Sequence, residues 1–271
     1  MHAARSSPLP RAVEESPETV ELVVCAIARE LRDHQVVAFG LHADRMLTAA
    51  LLAQRLHAPN LRIRHGVRAE RGAPEGAAAW SERRDDRSAR LIEYRESHDA
   101  ILRVANPASP VRFCDVFFVG GMQIDAEGNT NLIGLKGPDG RMRVRGPGSI
   151  GTTSIGTLAP EVILFSWEHS RRRFVEAVDY VSVPGWRRRA DAGLGGGPRL
   201  CITSKGIMDF DGGRMRLRSV HPGTSVEEIR AATGFELPAA ATVTTTPAPT
   251  AAELRALAEL GFSPVGGGNR R

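Results

Sequence analysis

The chain has 271 residues, 42% hydrophobic and 25% charged, the balance of a soluble globular protein long enough to bury a sizeable core. No apolar run approaches the roughly 20 residues that span a bilayer, and the opening MHAARSSPLPRAVEESPE lacks the apolar stretch of a secretory signal, so no membrane association and a cytoplasmic location are expected. The net charge of +5 arises from 36 basic against 31 acidic residues scattered along the chain without interleaved aromatics, which argues against nucleic acid as a partner.

Residues 1–15 have no periodicity and read as a disordered arm. Ser16 then offers an N-cap with Pro17 at the first helical position, and Val20, Val23, Val24, Ile27 and Leu31 recur at helical spacing, predicting an amphipathic helix to about Asp33. The apolar run 35–39 reads as a strand closing on Gly40. A buried helix over 46–56 follows, ended by Ala58-Pro59, and LRIRH (61–65) alternates as a second strand. Residues 71–95 are dominated by Arg, Glu, Asp and Ala and read as a solvated helix or insert, and 91–104 as an amphipathic helix.

The stretch 115–151, DVFFVGGMQIDAEGNTNLIGLKGPDGRMRVRGPGSIG, is the part around which the chain is organised. DVFFV is long enough for a buried strand and too short for a helix, and Gly120-Gly121 stops it. MQID and NLI read as strands joined by the EGN turn, with a reverse turn at 136–140. The glycine turn 146–151 precedes Thr152, and its backbone N–H groups are candidates to converge on an anion or oxyanion.

Beyond it, 161–165 is a strand, and 175–179 and 180–183 are expected to continue the sheet. The run Arg171-Arg172-Arg173 is an exposed edge or subunit contact, or a grip for phosphate, and Arg187-Arg188-Arg189 lies in a basic, glycine-rich loop. Strands at 199–203 and 206–210 lead through Asp211-Gly-Gly213 into a hairpin partner at 215–220. Ser225 to Glu228 and Thr250 to Glu253 have the capping-box pattern ahead of two helices, with 239–249 an Ala/Thr/Pro linker between them. Cys25, Cys114 and Cys201 have neither zinc nor disulfide spacing and read as buried thiols, so no metal site is expected.

The segments VFFVGGMQIDAEGNTN, RGPGSIG, HSRRRFVEAVDYVSVPGW and GIMDFDGGRMRLRSVHPGTSVEEIRAATGF resemble the β subunit of glutaconate-type, or type I, CoA-transferases, over about residues 36–237. The resemblance implies an open α/β fold, a mostly parallel sheet flanked by helices with a C-terminal hairpin and helices. It also implies a CoA-transferase-like domain over 16–237, with 238–271 as linker and last helix. It further implies an α subunit as partner, an acyl-CoA substrate at the subunit interface with coenzyme A entering as a substrate moiety and no bound cofactor, and contacts to that substrate from Gly120, Gly121, Gln123, Asn129, Gly146, Gly148, Ser149 and Gly151. The family's β subunit carries its catalytic glutamate near the end of the strand after an Ala-Pro pair, yet residues 61–67 contain no carboxylate. His65 is the group there that titrates near neutrality, and Glu70 is the next acid. Three readings follow: a relative diverged toward thioester hydrolysis, ring-opening hydrolysis in steroid breakdown or decarboxylation; a true transferase using Glu70; or a non-catalytic subunit completing a partner's site.

Overall fold

The computed structural model describes residues 16–39, 43–65, 91–93 and 114–264. The arm at 1–15, Glu70 and the polar run over 71–90 lie outside them. In chain order the elements begin with α1 (Pro17–Arg29), β1 (Val36–Phe39), α2 (Asp44–Leu56), β2 (Arg62–His65), β3 (Leu91–Glu93) and β4 (Val116–Gly120). Four short strands follow, β5 (Gln123–Ile124), β6 (Thr130–Asn131), β7 (Gly134–Lys136) and β8 (Met142–Arg145), then α3 (Ile150–Leu158) and β9 (Glu161–Ser166). The C-terminal part comprises α4 (Trp186–Asp191), β10 (Gly197–Thr203), β11 (Gly206–Asp211), β12 (Arg214–Val220), α5 (Val226–Ala231), β13 (Ala239–Thr245) and α6 (Ala251–Glu259). No helix among the described residues is long and apolar enough to cross a membrane.

The expected α/β architecture is present. Nine strands form one sheet in the order β13-β12-β11-β10-β9-β4-β1-β2-β3. From β10 across to β3 every pairing is parallel, and the β10-β11-β12 pairings are antiparallel. Both faces of the central strands are covered, which is why VFFV is apolar at every position rather than alternating. Val116 and Phe118 pack with α1, α2 and α6 on one face. Phe117 and Val119 pack on the other, with Ile155 of α3 and Ile229 of α5. Each such side chain stabilises the fold by roughly 1.5–3 kcal/mol through burial.

Local chemistry sets the helix ends. Ser16 Oγ accepts from Thr19 N–H at 3.2 Å with Pro17 following, and both expected capping boxes form, at Ser225/Glu228 and Thr250/Glu253. The second does more than cap. Arg29 on α1 donates through Nε and Nη2 to the two oxygens of Glu253, at 2.7 and 2.6 Å, and fastens α6 to the body.

Four expectations are corrected. Residues 91–93 form β3, paired with β2, because a two-residue apolar pair carries too little periodicity to separate strand from helix; 94–104 lie outside the described residues. Residues 175–183 do not extend the sheet. Phe174 and Val183 make single bridges to Ile124 and Thr130, so this β-prone segment pairs with a short loop instead. Residues 239–245, expected as linker, pair parallel with β12, since a Thr-rich segment beside an open edge takes up its hydrogen bonds. Residues 187–189 fall in α4 rather than a loop.

Candidate functional site

The sequence of strands reverses direction across the sheet between β1 and β4: β2 and β3 lie to one side, β9 and β10 to the other. In open α/β sheets the crevice outside the carboxyl ends of the strands at such a switch point is where ligands bind. Here that edge is formed by Phe39, His65, Glu93, Gly120, Ser166 and Thr203, the last residues of their strands. Register places Phe39 beside His65 and His65 beside Glu93.

Two helices begin at this edge. α2 follows β1, and α3 ends at Leu158, just before β9 starts, so α3 runs against the strand direction and its N-terminus points to the same edge. At α1, α5 and α6 a Ser or Thr oxygen caps the first turn. Ala43 at the α2 N-cap has no oxygen to offer, and Ser149 at the α3 N-cap makes no capping bond; the short α4 is likewise uncapped, behind Gly185. First-turn N–H groups and the positive end of the helix dipole are therefore left at the edge without a side-chain acceptor at the cap. Arg45 in the first turn of α2 lies over Trp167, just past β9, at 4.1 Å from the ring centroid.

The structure divides the glycines by role. A Cβ on Gly120 would press on the Phe165 ring at 3.1 Å, and one on Gly121 would collide with Thr130 Cγ2. A Cβ on Gly146 would collide with Leu132 O, and the Gly146 and Gly148 N–H groups donate to Ile133 O and Leu132 O at 2.8 and 3.0 Å. These amides are committed within the protein and do not form an oxyanion cradle. Gly148 and Gly151 are different: among the described residues nothing lies within 4 Å of a Cβ on the first, whose φ is +83°, and the second would meet Ile155 Cδ1 at 3.8 Å. No described residue crowds Gly148 or Gly151 at the α3 N-terminus.

Gln123 and Asn129 brace this region from beneath. Gln123 Oε1 accepts from Asn131 Nδ2 and Asp179 N–H at 2.7 and 2.9 Å, and its amide nitrogen donates to Asp179. Asn129 donates to Asp125 at 2.9 Å and accepts from Gly185 N–H at 2.8 Å. Both side chains are buried, so they hold the loop that positions Gly121 rather than facing a ligand. Burial pushes the Asp125 carboxyl up, opposed by the bonds from Asn129 and Glu127 N–H.

The arginine runs are also accounted for. Arg172 donates to both oxygens of Glu168 at 2.5 and 2.8 Å, Arg173 to Gly121 O at 2.6 Å and to Glu168, and Arg171 to Thr233 O at 3.0 Å. Arg172, with Ser170 and Arg173, brings the Glu168 carboxyl down to about 2. Arg189 is fully buried and donates to Gly156 O, Ala159 O, Gly195 O and Gly196 O at 2.8 to 3.1 Å, tying the C-terminus of α3 to the glycine-rich loop.

Sequence reasoning gave no role to His169, which is buried beside the ends of β9 and β10, stacked on Phe174 with ring centroids 4.2 Å apart. Its nitrogens contact Thr203 Oγ1 at 2.9 Å and Thr233 Oγ1 at 3.0 Å, and burial with Lys205 nearby lowers its pKa to about 3. Because Thr233 donates to Ile229 O at 2.7 Å, the imidazole is assigned as the neutral tautomer with the proton on Nε2. It is a structural clasp, not a base. Trp167 was missed as well, and its sequence signal was its place after the short apolar run of β9.

Comparison with known proteins bears on what the crevice does. The coenzyme A transferase model matches residues 112–232. The chain is 38% identical over 130 residues to the β subunit of glutaconate CoA-transferase from Acidaminococcus fermentans, covering 45% of this chain and 48% of that one. It is 35% identical over 153 residues to the β subunit of 3-oxoadipate CoA-transferase from Pseudomonas knackmussii, covering 54% and 58%. The sequence matches thus span about half the length of these curated relatives. Likeness of fold extends further: the crystal structure of the Acidaminococcus glutaconate enzyme superposes with a TM-score of 0.69 at 27% identity, over 89% of this chain and 93% of that one. The decarboxylase AibA/AibB (TM-score 0.66, 23% identity, 90% and 94% covered) and Rhodococcus jostii RHA1 IpdAB (0.65, 22%, 91% and 94%) share the fold.

Proposed function

We propose that this chain is the β-type subunit of a two-subunit enzyme acting on an acyl-CoA thioester, and that it does so without a glutamyl-CoA intermediate. The observation that carries the reading is the end of β2. This strand reaches the crevice between the uncapped ends of α2 and α3, in a fold that superposes on glutaconate CoA-transferase, and it delivers His65 and no carboxylate. Classical CoA transfer needs a carboxylate that attacks the thioester and then carries CoA. An imidazole cannot form that mixed anhydride; it can take a proton from water or orient a substrate. The start of α3 beyond Gly148, whose own N–H is committed to Leu132 O, supplies the first-turn donor at Gly151 and the positive dipole end for charge developing on the thioester oxygen or for CoA phosphate. The α-type subunit completes the crevice, as expected for a relative of two transferase β subunits.

The test is co-purification with the α-type subunit and assay with acetyl-CoA, glutaryl-CoA and cyclohexanecarbonyl-CoA for free CoA and for transfer to acetate. Treatment with acyl-CoA and borohydride should leave the mass of this chain unchanged. A reduced Glu70, or a CoA adduct on it, would restore ordinary transfer and overturn the reading.

A further inference from the structure

Strands β7 and β8 form a two-stranded sheet apart from the nine-stranded one, closed by the turn at 137–140. A lone hairpin is marginal in water, and this one is anchored at its root. Asn131 Nδ2 donates to Gly134 O at 2.7 Å, Lys136 N–H to Asp179 at 2.9 Å and Gly146 N–H to Ile133 O at 2.8 Å. The Lys136 ammonium lies over the Tyr180 ring, 4.8 Å from its centroid. The outer part carries Arg141, Arg143 and Arg145 against a single acid, Asp139, and all four are exposed. Asp139 faces Arg143 at 3.8 Å. Among the described residues the Arg141 and Arg145 guanidinium groups have neither a hydrogen bond nor an ion pair, unlike Arg29, Arg172 and Arg189, whose forks are taken by carboxylates and carbonyls. The hairpin also leads straight to the crevice. Gly146, Pro147 and Gly148 alone separate Arg145, the end of β8, from Ser149, the N-cap of α3, and the Gly146 and Gly148 amides fix that link to Ile133 O and Leu132 O.

We propose that this hairpin is the phosphate clamp of the acyl-CoA site, where Arg141 and Arg145, assisted by Arg143, receive the diphosphate and the ribose phosphate of coenzyme A. This rests on the reading of the crevice as that site and divides the ligand between two places. An acyl-CoA with its thioester at the start of α3 carries its nucleotide outward on a long pantetheine arm, and the hairpin is the basic surface rooted beside that start. Guanidinium forks match phosphate oxygens in pairs, and an exposed basic cluster raises the local concentration of an anionic ligand. The first turn of α3 is then left to the thioester oxygen. Because the nucleotide lies away from the reacting carbonyl, the clamp holds ground state and transition state alike, and its signature belongs in KM. An acidic face of another protein carries the same sign of charge, but the centre of a protein interface is poor in charge and rich in aromatic anchors, and residues 134–145 contain no aromatic.

The experiment uses the complex with the α-type subunit and measures coenzyme A binding by titration calorimetry, together with turnover of whichever of the three esters named above is fastest. Arg141→Ser and Arg145→Ser, both at exposed positions, should each weaken coenzyme A binding by about two- to fivefold, and the double variant by about five- to twentyfold, the range of exposed ion pairs. Asp139→Asn keeps an acceptor for the Arg141 N–H and removes the acid of the hairpin, so it should tighten binding by about twofold. Added salt should shrink the difference between the double variant and the parent. In turnover the double variant should lose kcat/KM on the acyl-CoA through KM, and the loss should vanish on the matching acyl-pantetheine, which lacks the nucleotide. Parent-like coenzyme A binding in the double variant, or equal losses on acyl-CoA and acyl-pantetheine, would overturn the clamp and leave the crevice reading standing. Loss of the α-type subunit from the double variant in size-exclusion chromatography would assign the hairpin to the subunit interface and overturn the clamp as well. A parent complex that binds coenzyme A but turns over none of the esters would sink the reaction while the titrations still decide the clamp. A parent complex that does not bind coenzyme A would overturn both.

Discussion

Gly151→Ala separates a glycine kept for substrate from one kept for folding. Gly151 is the second residue of α3, its φ is not in the left-handed region, and among the described residues an added methyl would touch Ile155 Cδ1 at an ordinary 3.8 Å. By folding criteria alone alanine is the better residue there, since glycine in a helix interior costs up to about 1 kcal/mol relative to alanine, with less at the first turn. The variant should therefore be at least as stable as the parent, with a melting temperature unchanged or raised by about 2–4 °C. If the α3 N-terminus holds the thioester, the same methyl displaces the reacting carbonyl. Even a tenfold loss in kcat/KM corresponds to only about 1.4 kcal/mol of transition-state stabilisation, so a tenfold to hundredfold fall is expected. The assay pairs differential scanning fluorimetry with acyl-CoA turnover by the complex. A variant that is both stabilised and fully active would refute the placement of substrate at this turn. Gly148 makes a poorer test, because its φ of +83° strains any side chain whatever occupies the space.

The buried His169 predicts a specific acid sensitivity: its pKa falls from 6.5 to about 3 on folding, so between those values the unfolded chain binds the extra proton and stability drops as pH falls. At pH 5 the loss is about 2 kcal/mol relative to pH 7, from about 1.4 kcal/mol per pKa unit, and urea midpoints at the two pH values should show it for the parent and not for His169→Gln. Arg189→Met should cost about 3 kcal/mol or more, read as a melting temperature lowered by roughly 6–12 °C, because it strands two carbonyl acceptors at the end of α3 and two in the glycine-rich loop; a melting temperature within 2 °C, at the lower end of what about 1 kcal/mol produces, would show that loop and helix are held by other contacts.

Much of the scaffold was legible because its signals are local. Ser225 with Glu228 and Thr250 with Glu253 announce two helix starts, and VFFV announces a strand covered on both faces. The organising stretch does reach the crevice, through Gly120 at the end of β4 and the turn into α3. What the sequence could not tell is why each glycine is there. Gly121 and Gly146 leave no room for a Cβ, whereas no described residue crowds Gly148 or Gly151, and only the three-dimensional neighbours, Thr130 and Leu132 O for the first two, separate these cases. Gln123 and Asn129 were expected to face a ligand for a similar reason: a polar tip looks the same in sequence whether it points outward or spends its hydrogen bonds on Asp179, Asn131, Asp125 and Gly185. That residues 91–93 pair with β2 was illegible because strand register is a non-local property.

The basic surplus has a structural explanation. All but two of the 36 basic residues are arginine, Lys136 and Lys205 being the exceptions. A guanidinium presents five donors in a planar fork and suits carboxylates and carbonyls held in fixed geometry, which an ammonium does not. The chain uses it that way repeatedly. Arg29 takes Glu253 bidentately and also donates to Pro247 O and Ala248 O, and Arg216 bridges Asp209 and Asp211. At the N-terminal edge of the sheet Arg32 and Arg199 share Glu161, while Arg199 and Arg218 share Glu30. The run 171–173, which in sequence read as an exposed edge, a subunit contact or a grip for phosphate, is spent on Glu168, Gly121 O and Thr233 O. Its contact to Gly121 O instead steadies the turn beyond β4 from behind. Charges engaged in this way give little long-range attraction, and exposed pairs contribute at most about 1 kcal/mol each. On the proposed reading of the crevice as an acyl-CoA site, the backbone N–H groups and dipoles at the starts of α2 and α3 are its anion donors, acting at short range.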